Sequence, residues 1–182
     1  MTKPELLSRT IVYESSWVNL YLDEVRFPNG HVIEQYHLLD FPHASVGILM
    51  ENASGEVMFV RISRYPTGLT EWELPAGGIE PDETEIEAAR REVLEETGYT
   101  SEAHQVIYSY YPINNITNQL FHLVRCRAGE RVQDFDPNEV SQTHWFTKEE
   151  VRELIRTKAL TDGLTLTALL FWLQESSAPL LK

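Results

Sequence analysis

The sequence predicts an α+β fold, a sandwich on a mixed sheet with a small antiparallel strand block ahead of it. Three observations predict it. Short β-rich runs separated by turn residues fill the first forty positions, longer apolar runs begin at Ser45, and one long helical pattern at 83–97 precedes two short late helices. Strands and helices that do not alternate regularly argue against a doubly wound parallel sheet.

Each element has its own signal. Residues 11–13 and 18–22 are rich in β-formers and predict two strands. Pro28, Asn29 and Gly30 predict a turn, after which 31–39 resumes a strand. Phe41 and Pro42 close the block, because the residue before a proline leaves regular structure. The expected organisation is therefore a strand block at 1–42 and a second domain at 43–182. Runs at 46–50 and 57–62 flank Asn52, Ala53, Ser54 and Gly55, which read as a hairpin turn. Residues 72–74 are strand-like. The helix at 83–97 is rich in Glu, Ala, Arg and Leu, with Ile86, Ala89 and Val93 at three- and four-residue intervals. Pro81 and Asp82 offer it a start and Gly98 a stop. Strands at 106–111, 120–126 and 143–146 and helices at 147–156 and 163–175 complete the expectation.

The chain has 182 residues, with 28 Asp and Glu against 15 Lys and Arg, a formal net charge of −13. That length is enough for a self-sufficient core. The acidic balance would repel phosphate-rich surfaces, so neither nucleic acid nor an anionic membrane is expected as a partner. A lone cysteine, Cys126, excludes an internal disulfide and a multi-cysteine zinc site. The opening MTKPELLSRT has no apolar run, so no secretory signal is expected. The most apolar stretch, 164–173, is interrupted by Thr165 and Thr167 and falls short of the ~20 residues that span a bilayer. A cytoplasmic location is the expectation.

The helix at 83–97 carries more acid on one side than stability favours. Glu92 and Glu96 are four apart and Glu95 is three after Glu92, so the three can converge, and like charges at that spacing repel. Alone, a Glu-rich helix face is ordinary solvated surface. Its surroundings change the reading. Leu74, Pro75, Ala76, Gly77, Gly78, Ile79 and Glu80 precede it, and the two glycines permit a tight turn and close backbone approach to a ligand. Clustered carboxylates with a nearby free carbonyl suit a hard divalent cation such as magnesium, which shares its coordination with water and substrate phosphates.

The spacing runs from Gly77 over five residues to Glu83, then over seven to Arg91, Glu92, Val93, Leu94, Glu95, Glu96, Thr97, Gly98 and Tyr99. This resembles the Nudix box, which specifies nine positions over 23 residues; the departure is Tyr99, where a bulky aliphatic is usual. The resemblance implies an α/β/α sandwich whose box forms a loop, a helix and a loop. It also implies hydrolysis of a nucleoside diphosphate linked to another moiety, with Mg2+ (or Mn2+) as cofactor. By the same resemblance Glu92, Glu95 and Glu96 bind metal with the Ala76 carbonyl, Arg91 orients Glu95 for catalysis, and Glu83 sits at the metal edge or holds the loop. Gly77 and Gly98 serve backbone geometry. An acidic protein approaches pyrophosphate only by interposing cations, which neutralise charge and lower the pKa of a bound water.

The likeness reaches beyond the box. Residues 60–65 and 71–77, and the N-terminal block, resemble ADP-ribose and nucleotide-sugar pyrophosphatases. In that group the N-terminal block exchanges between subunits of a homodimer, so a homodimer is expected. The resemblance implies that Arg64 faces the diphosphate, where a permanently charged fork is useful, and that Glu73 helps to recognise substrate. Trp17 can stack on a base. ADP-ribose hydrolases carry proline sixteen residues after the last box glycine, where this chain has Asn114, with Pro112 two residues early. Asn118 and Gln119 fall where those enzymes are acidic, and their amides can hydrogen-bond a sugar. Glu139 is the positional match for the general base, with Asp134 and Asp136 as competitors on the same loop. Alternatives are a hydrolase of nucleoside triphosphates or dinucleoside polyphosphates, and a nucleotide-binding module that has lost catalysis. An isomerase of prenyl diphosphates would need a cysteine ahead of the box, and Cys126 follows it.

Overall fold

The first forty positions build a three-stranded antiparallel sheet: β1 (Glu5–Tyr13), β2 (Asn19–Arg26) and β3 (Val32–Asp40), with β2 central and its residues alternating between buried and half-buried over most of its length. The computed structural model describes residues 3–174. β1 begins earlier than its β-rich core suggests because Glu5 pairs with Arg26 at the far end of β2. Tyr21 and Asp23 lie buried on one face; Arg9 grips Asp23 with two hydrogen bonds of 2.8 and 2.7 Å and stacks on the Tyr21 ring. The residues up to Ala44 form one unit together with Tyr110–Leu120. Within that unit the Leu39 N–H donates to Ile116 O, and Asn118 binds both the Phe41 N–H and the Asp40 carboxylate.

Among the described residues, the second unit comprises Ser45–Ser109 and residues 121–174. Its mixed sheet is built from β4 (Ser45–Glu51), β5 (Val57–Arg64), β6 (Leu69–Glu73), β7 (Ala76–Gly78), β8 (Tyr99–Tyr110), β9 (Phe121–Arg131) and β10 (Gln142–Phe146). β4 and β9 pair in parallel from Ser45↔Phe121 to Glu51↔Arg127. One face carries α1 (Glu85–Thr97): Ala88, Ala89 and Val93 pack on Val46, Ile48, Met50, Val124 and Cys126. On the other face lies α3 (Gly163–Gln174), whose Leu164 stands so close to Gly47 that a Cβ there would come within 2.8 Å. Trp172 of α3 donates its indole N–H to Glu51, which also receives Arg125. Helices on both faces of a mixed sheet are the expected sandwich. α2 (Lys148–Arg156) buries only Val151.

Several boundaries differ from expectation: β8 starts at Tyr99 and β9 runs to Arg131, well beyond the expected 106–111 and 120–126. The segment Ala76–Gly78 is a short strand, pairing Ala76 with Gly47 and Gly77 with Val46, where a turn was expected. α1 starts at Glu85, two residues later than expected, and its cap is Thr84 in place of Pro81 and Asp82: the Thr84 hydroxyl and Glu87 form a reciprocal capping box. Asp82 instead adopts φ 71°, a turn conformation that asparagine and aspartate tolerate. The last helix is described to Gln174, and Glu175 lies outside the described residues.

Candidate active site

The site is assembled where β7 and α1 meet. The Ala76 N–H, emerging from Pro75, donates to the Glu96 carboxylate at 3.0 Å, while the Pro75 carbonyl accepts the Ile48 N–H at 2.8 Å. Gly77 is where Glu92 needs room. A Cβ there would lie 1.9 Å from Glu92 Oε1, so any larger residue evicts the carboxylate. At the other end of the helix Gly98 takes φ 76° and a Cβ would strike Gln133 O at 2.1 Å. Both glycines are thus required by close approach, one by a side chain and one by a loop.

Arg91 organises the acids. Its Nε and Nη2 fork onto Glu83 at 2.9 Å each, Nη1 donates to Glu92 at 2.6 Å and to Glu95 at 3.4 Å, and Nη2 also reaches the Gly78 carbonyl at 2.8 Å. Those five contacts use the whole donor set of a guanidinium. Its principal partner is Glu83, with Glu95 the longest contact. The hydrogen bonds from Arg91 hold the Glu83 carboxyl down to about 2. Glu92 and Glu96 are pushed the other way. Burial raises both, Glu96 to about 8, and the two repel each other and Glu139.

Glu139 lies on a loop stitched to the end of α1: Asp136 N–H donates to Glu95 O at 2.9 Å, and the Val132 and Gln133 N–H groups to Gly98 O. Of its acidic neighbours, Asp134 pairs with Arg131, and Asp136 accepts from Asn138. Glu139 is exposed, and its charge acts on both Glu92 and Glu96. Arg64 forks onto Glu73, which is 4% exposed, at 2.6–3.1 Å; Glu96 and Asp162 also act on Arg64 electrostatically. Glu73 is therefore committed to Arg64. Trp17 and Asn118 belong to the first unit. Trp17 is 85% exposed on a turn fixed by the Ser15 hydroxyl, and both ends of the Asn118 amide are engaged by Asp40 and Phe41.

Among the described residues, no three His, Cys, Asp or Glu side chains converge into a preformed metal cage. The donor chemistry nonetheless fits a divalent cation. Two desolvated carboxyls, Glu92 and Glu96, lie against the Ala76–Gly77 backbone, the first paired with Arg91 and the second under the charge of Arg64. Hard cations that take few protein oxygens and complete their shell with water and phosphate suit such a half-site. Sequence reasoning missed the Glu96–Ala76 hydrogen bond and the influence of Asp162 on Arg64. Both join residues far apart in the chain and have no local signal.

A model of the NUDIX domain matches residues 41–167, and a model of the nucleoside diphosphate sugar hydrolase N-terminal domain matches residues 5–39. The chain is 25% identical to the ADP-ribose pyrophosphatase of Bacillus subtilis, over 90% of this chain and 89% of that one. It is 26% identical to CMP-5'-(N-acetyl-N-hydroxy-3-aminopropyl)phosphonate hydrolase of Streptomyces rubellomurinus, over 84% and 74%. A crystal structure of an ADP compounds hydrolase superposes with a TM-score of 0.83 at 18% identity, covering 96% of each chain. Among the described residues no helix is long and apolar enough to cross a membrane. The match across 41–167 settles the family: this chain is a Nudix pyrophosphohydrolase, a family that generally uses divalent metals, and it carries the N-terminal domain of nucleoside diphosphate sugar hydrolases.

Proposed function

We propose that the protein hydrolyses the pyrophosphate bond of a nucleoside diphosphate linked to a sugar or ribose, ADP-ribose or a nucleotide sugar, with Mg2+. The observation that carries this reading is the buried pair Glu92 and Glu96 against Ala76 and Gly77, two carboxyls that burial keeps from ionising and that a divalent cation would allow to ionise. Glu92, Glu95, Glu96 and the Ala76 carbonyl would hold the ion. When bound, it supplies neutralisation of phosphate charge and a more acidic water. Arg91 locks Glu92 and the Gly78 backbone in place. Arg64, half exposed and oriented by Glu73, offers its free edge to the diphosphate. Glu139 takes a proton from the water that attacks phosphorus; the anhydride P–O bond breaks and the departing phosphate leaves as an anion. Trp17 is available to stack on a base. Asn118 would contact a sugar only by giving up a bond to Asp40 or Phe41.

The test is a panel of ADP-ribose, nucleotide sugars, dinucleoside polyphosphates and nucleoside triphosphates with Mg2+, with products identified by chromatography. Two phosphorylated products from ADP-ribose or a nucleotide sugar are expected; turnover of triphosphates alone would overturn the reading. A homodimer is part of the proposal. Edge strand β1 pairs with β2 on one side and exposes Leu6, Ile11, Val12 and Tyr13, an apolar edge that a second copy would cover. A dimeric mass by light scattering at micromolar protein is expected, and a single monomeric mass would refute it.

A further inference from the structure

We propose that Thr165, in the first turn of α3, is a positioning residue for the active site: its buried hydroxyl accepts the Leu74 N–H and fixes the strand exit that sets Glu73 and Ala76. The proposal rests on the reading of Ala76, Glu92 and Glu96 as the metal half-site.

The ladder between β5 and β6 ends at Val60↔Glu73, so the next N–H, on buried Leu74, has no strand partner there. It donates to Thr165 Oγ1 at 3.0 Å, and Thr165 has no exposed surface. The following residue, Pro75, has no N–H to give, and its carbonyl is held by Ile48. The next N–H, on Ala76, is held by Glu96. Three consecutive residues are thus anchored to three elements remote in sequence: α3, β4 and α1. Thr165 holds the first of them. Immediately before its bond stands Glu73, which orients Arg64; two residues after stands Ala76.

The rest of the α3 turn serves the same strand. The Thr161 hydroxyl donates to the Glu71 carboxylate at 2.7 Å. Asp162 accepts the Thr165 N–H at 2.7 Å and acts electrostatically on Arg64. Packing alone would favour an apolar residue at 165, since Leu164, Ala168 and Leu169 beside it are buried and apolar. The hydrogen bond between Thr165 and Leu74 gives the hydroxyl a purpose, because a buried N–H left unpaired is costly. Groups hydrogen-bonded directly to a metal ligand change metal affinity or activity by about 10–100-fold when removed; Thr165 acts through the backbone one step further out, which sets the lower end of that range as the expected effect.

The experiment compares Thr165→Val, Thr165→Ser and Leu169→Ala with the wild-type protein. Mn2+ binding is read by electron paramagnetic resonance without substrate, and kcat and KM are read on the best substrate of the panel. Thr165→Val is expected to bind Mn2+ about tenfold more weakly and to lose kcat more than KM, while Thr165→Ser stays within about twofold because it keeps the acceptor. Leu169→Ala truncates the α3 core and is expected to lower the melting temperature while keeping Mn2+ affinity. Unchanged Mn2+ affinity and kcat in a folded Thr165→Val would overturn the proposal. So would a Thr165→Ser protein as impaired as the valine variant, or a Leu169→Ala protein with the same Mn2+ defect. The Leu74 amide exchange rate in the wild-type protein, read by NMR, needs no variant: strong protection is expected, and exchange at the rate of an open amide overturns the assignment. A wild-type protein that binds no Mn2+ defeats the metal-site reading, whereas normal binding matched by Thr165→Val defeats this inference alone.

Discussion

α1 and α2 begin alike and end differently. Each opens on a threonine cap with a reciprocal glutamate three residues on, Thr84 with Glu87 and Thr147 with Glu150, and each places acids in its first turn. α2 then follows the helix dipole to its end: Arg156 sits in the last turn, and Arg152 and Arg156 each pair with a glutamate three residues before. α1 does the reverse. Its last turn carries Glu95 and Glu96 and no base, and it buries Glu92 and Glu96, where desolvation raises both. Acids at the negative end of a helix, out of water, destabilise it. A helix shaped for stability looks like α2. In the reading proposed above, the departure of α1 from that pattern is the cost in stability of holding acids for chemistry.

The largest effect should come from removing one of those misplaced acids. Glu96→Gln keeps size and helix propensity and retains an oxygen for the Ala76 N–H, but removes a charge. Turnover with saturating Mg2+ is expected to fall at least about 100-fold, in line with the several kcal/mol that metal stabilisation of developing charge supplies. Circular dichroism should be unchanged. Near-normal turnover in a folded variant would show that α1 departs from α2 for some other reason.

How far this contrast was legible beforehand follows the distance over which each interaction acts. The acid spacing from Glu92 to Glu96, the glycines at 77 and 98 and the helix itself are local, and the residues alone predict them. The Thr84 cap was also local: a threonine three before a glutamate is a start signal, and Pro81 and Asp82 drew the boundary away from it. Ala76–Gly78 as a strand was not legible, because three residues with two glycines have no β preference of their own and pair only because Ser45, Val46 and Gly47 lie alongside. The same holds for the Leu74 bond to Thr165, 91 residues on, and for Asn118, whose amide closes on Asp40 across 78. An amide in a turn points to a sugar, whereas the Asp40 and Phe41 partners of Asn118 have no local signal.

A smaller effect separates the helices by pH. Burial lifts the Glu96 carboxyl to about 8 from its usual 4.5, so the folded protein holds that proton more tightly than the unfolded chain. The sign follows: this contribution to stability is fully present below about 4.5 and is lost as pH rises through about 8. Glu83, held down to about 2 by Arg91, acts in the opposite sense, its contribution present above 4.5 and lost as pH falls through about 2, so the two windows do not overlap. In EDTA the melting temperature of the wild-type protein should fall between pH 5 and 8, and Glu96→Gln should flatten that fall. Added Mn2+ should restore the wild-type melting temperature most at the alkaline end, because binding displaces the proton. Parallel pH slopes for the two proteins in EDTA would contradict the buried-acid account.

The smallest effect tests the feature the helices share. In each, the threonine hydroxyl accepts the N–H three residues on at 3.3 Å while the glutamate reaches back to the threonine N–H at 2.8–2.9 Å. Replacing either threonine by alanine removes one acceptor from the helix start and should cost about 1 kcal/mol of unfolding free energy. Equal costs in stability are expected, since the bonds match in kind and length. The consequences for activity should differ. Thr84 is the residue after Glu83, whose carboxylate holds the Arg91 fork, so a frayed first turn in α1 loosens the guanidinium that fixes Glu92. Nothing in α2 bears on those acids: Val151 is its buried residue, and its ion pairs lie at the surface. Urea unfolding and Mg2+-dependent turnover on Thr84→Ala and Thr147→Ala separate the two roles. Thr84→Ala should need more Mg2+ for half-maximal rate, and Thr147→Ala should not. If both variants lose stability alike and both keep the wild-type Mg2+ requirement, α1 is coupled to its acids from within the helix alone, and its cap serves the same structural purpose as that of α2.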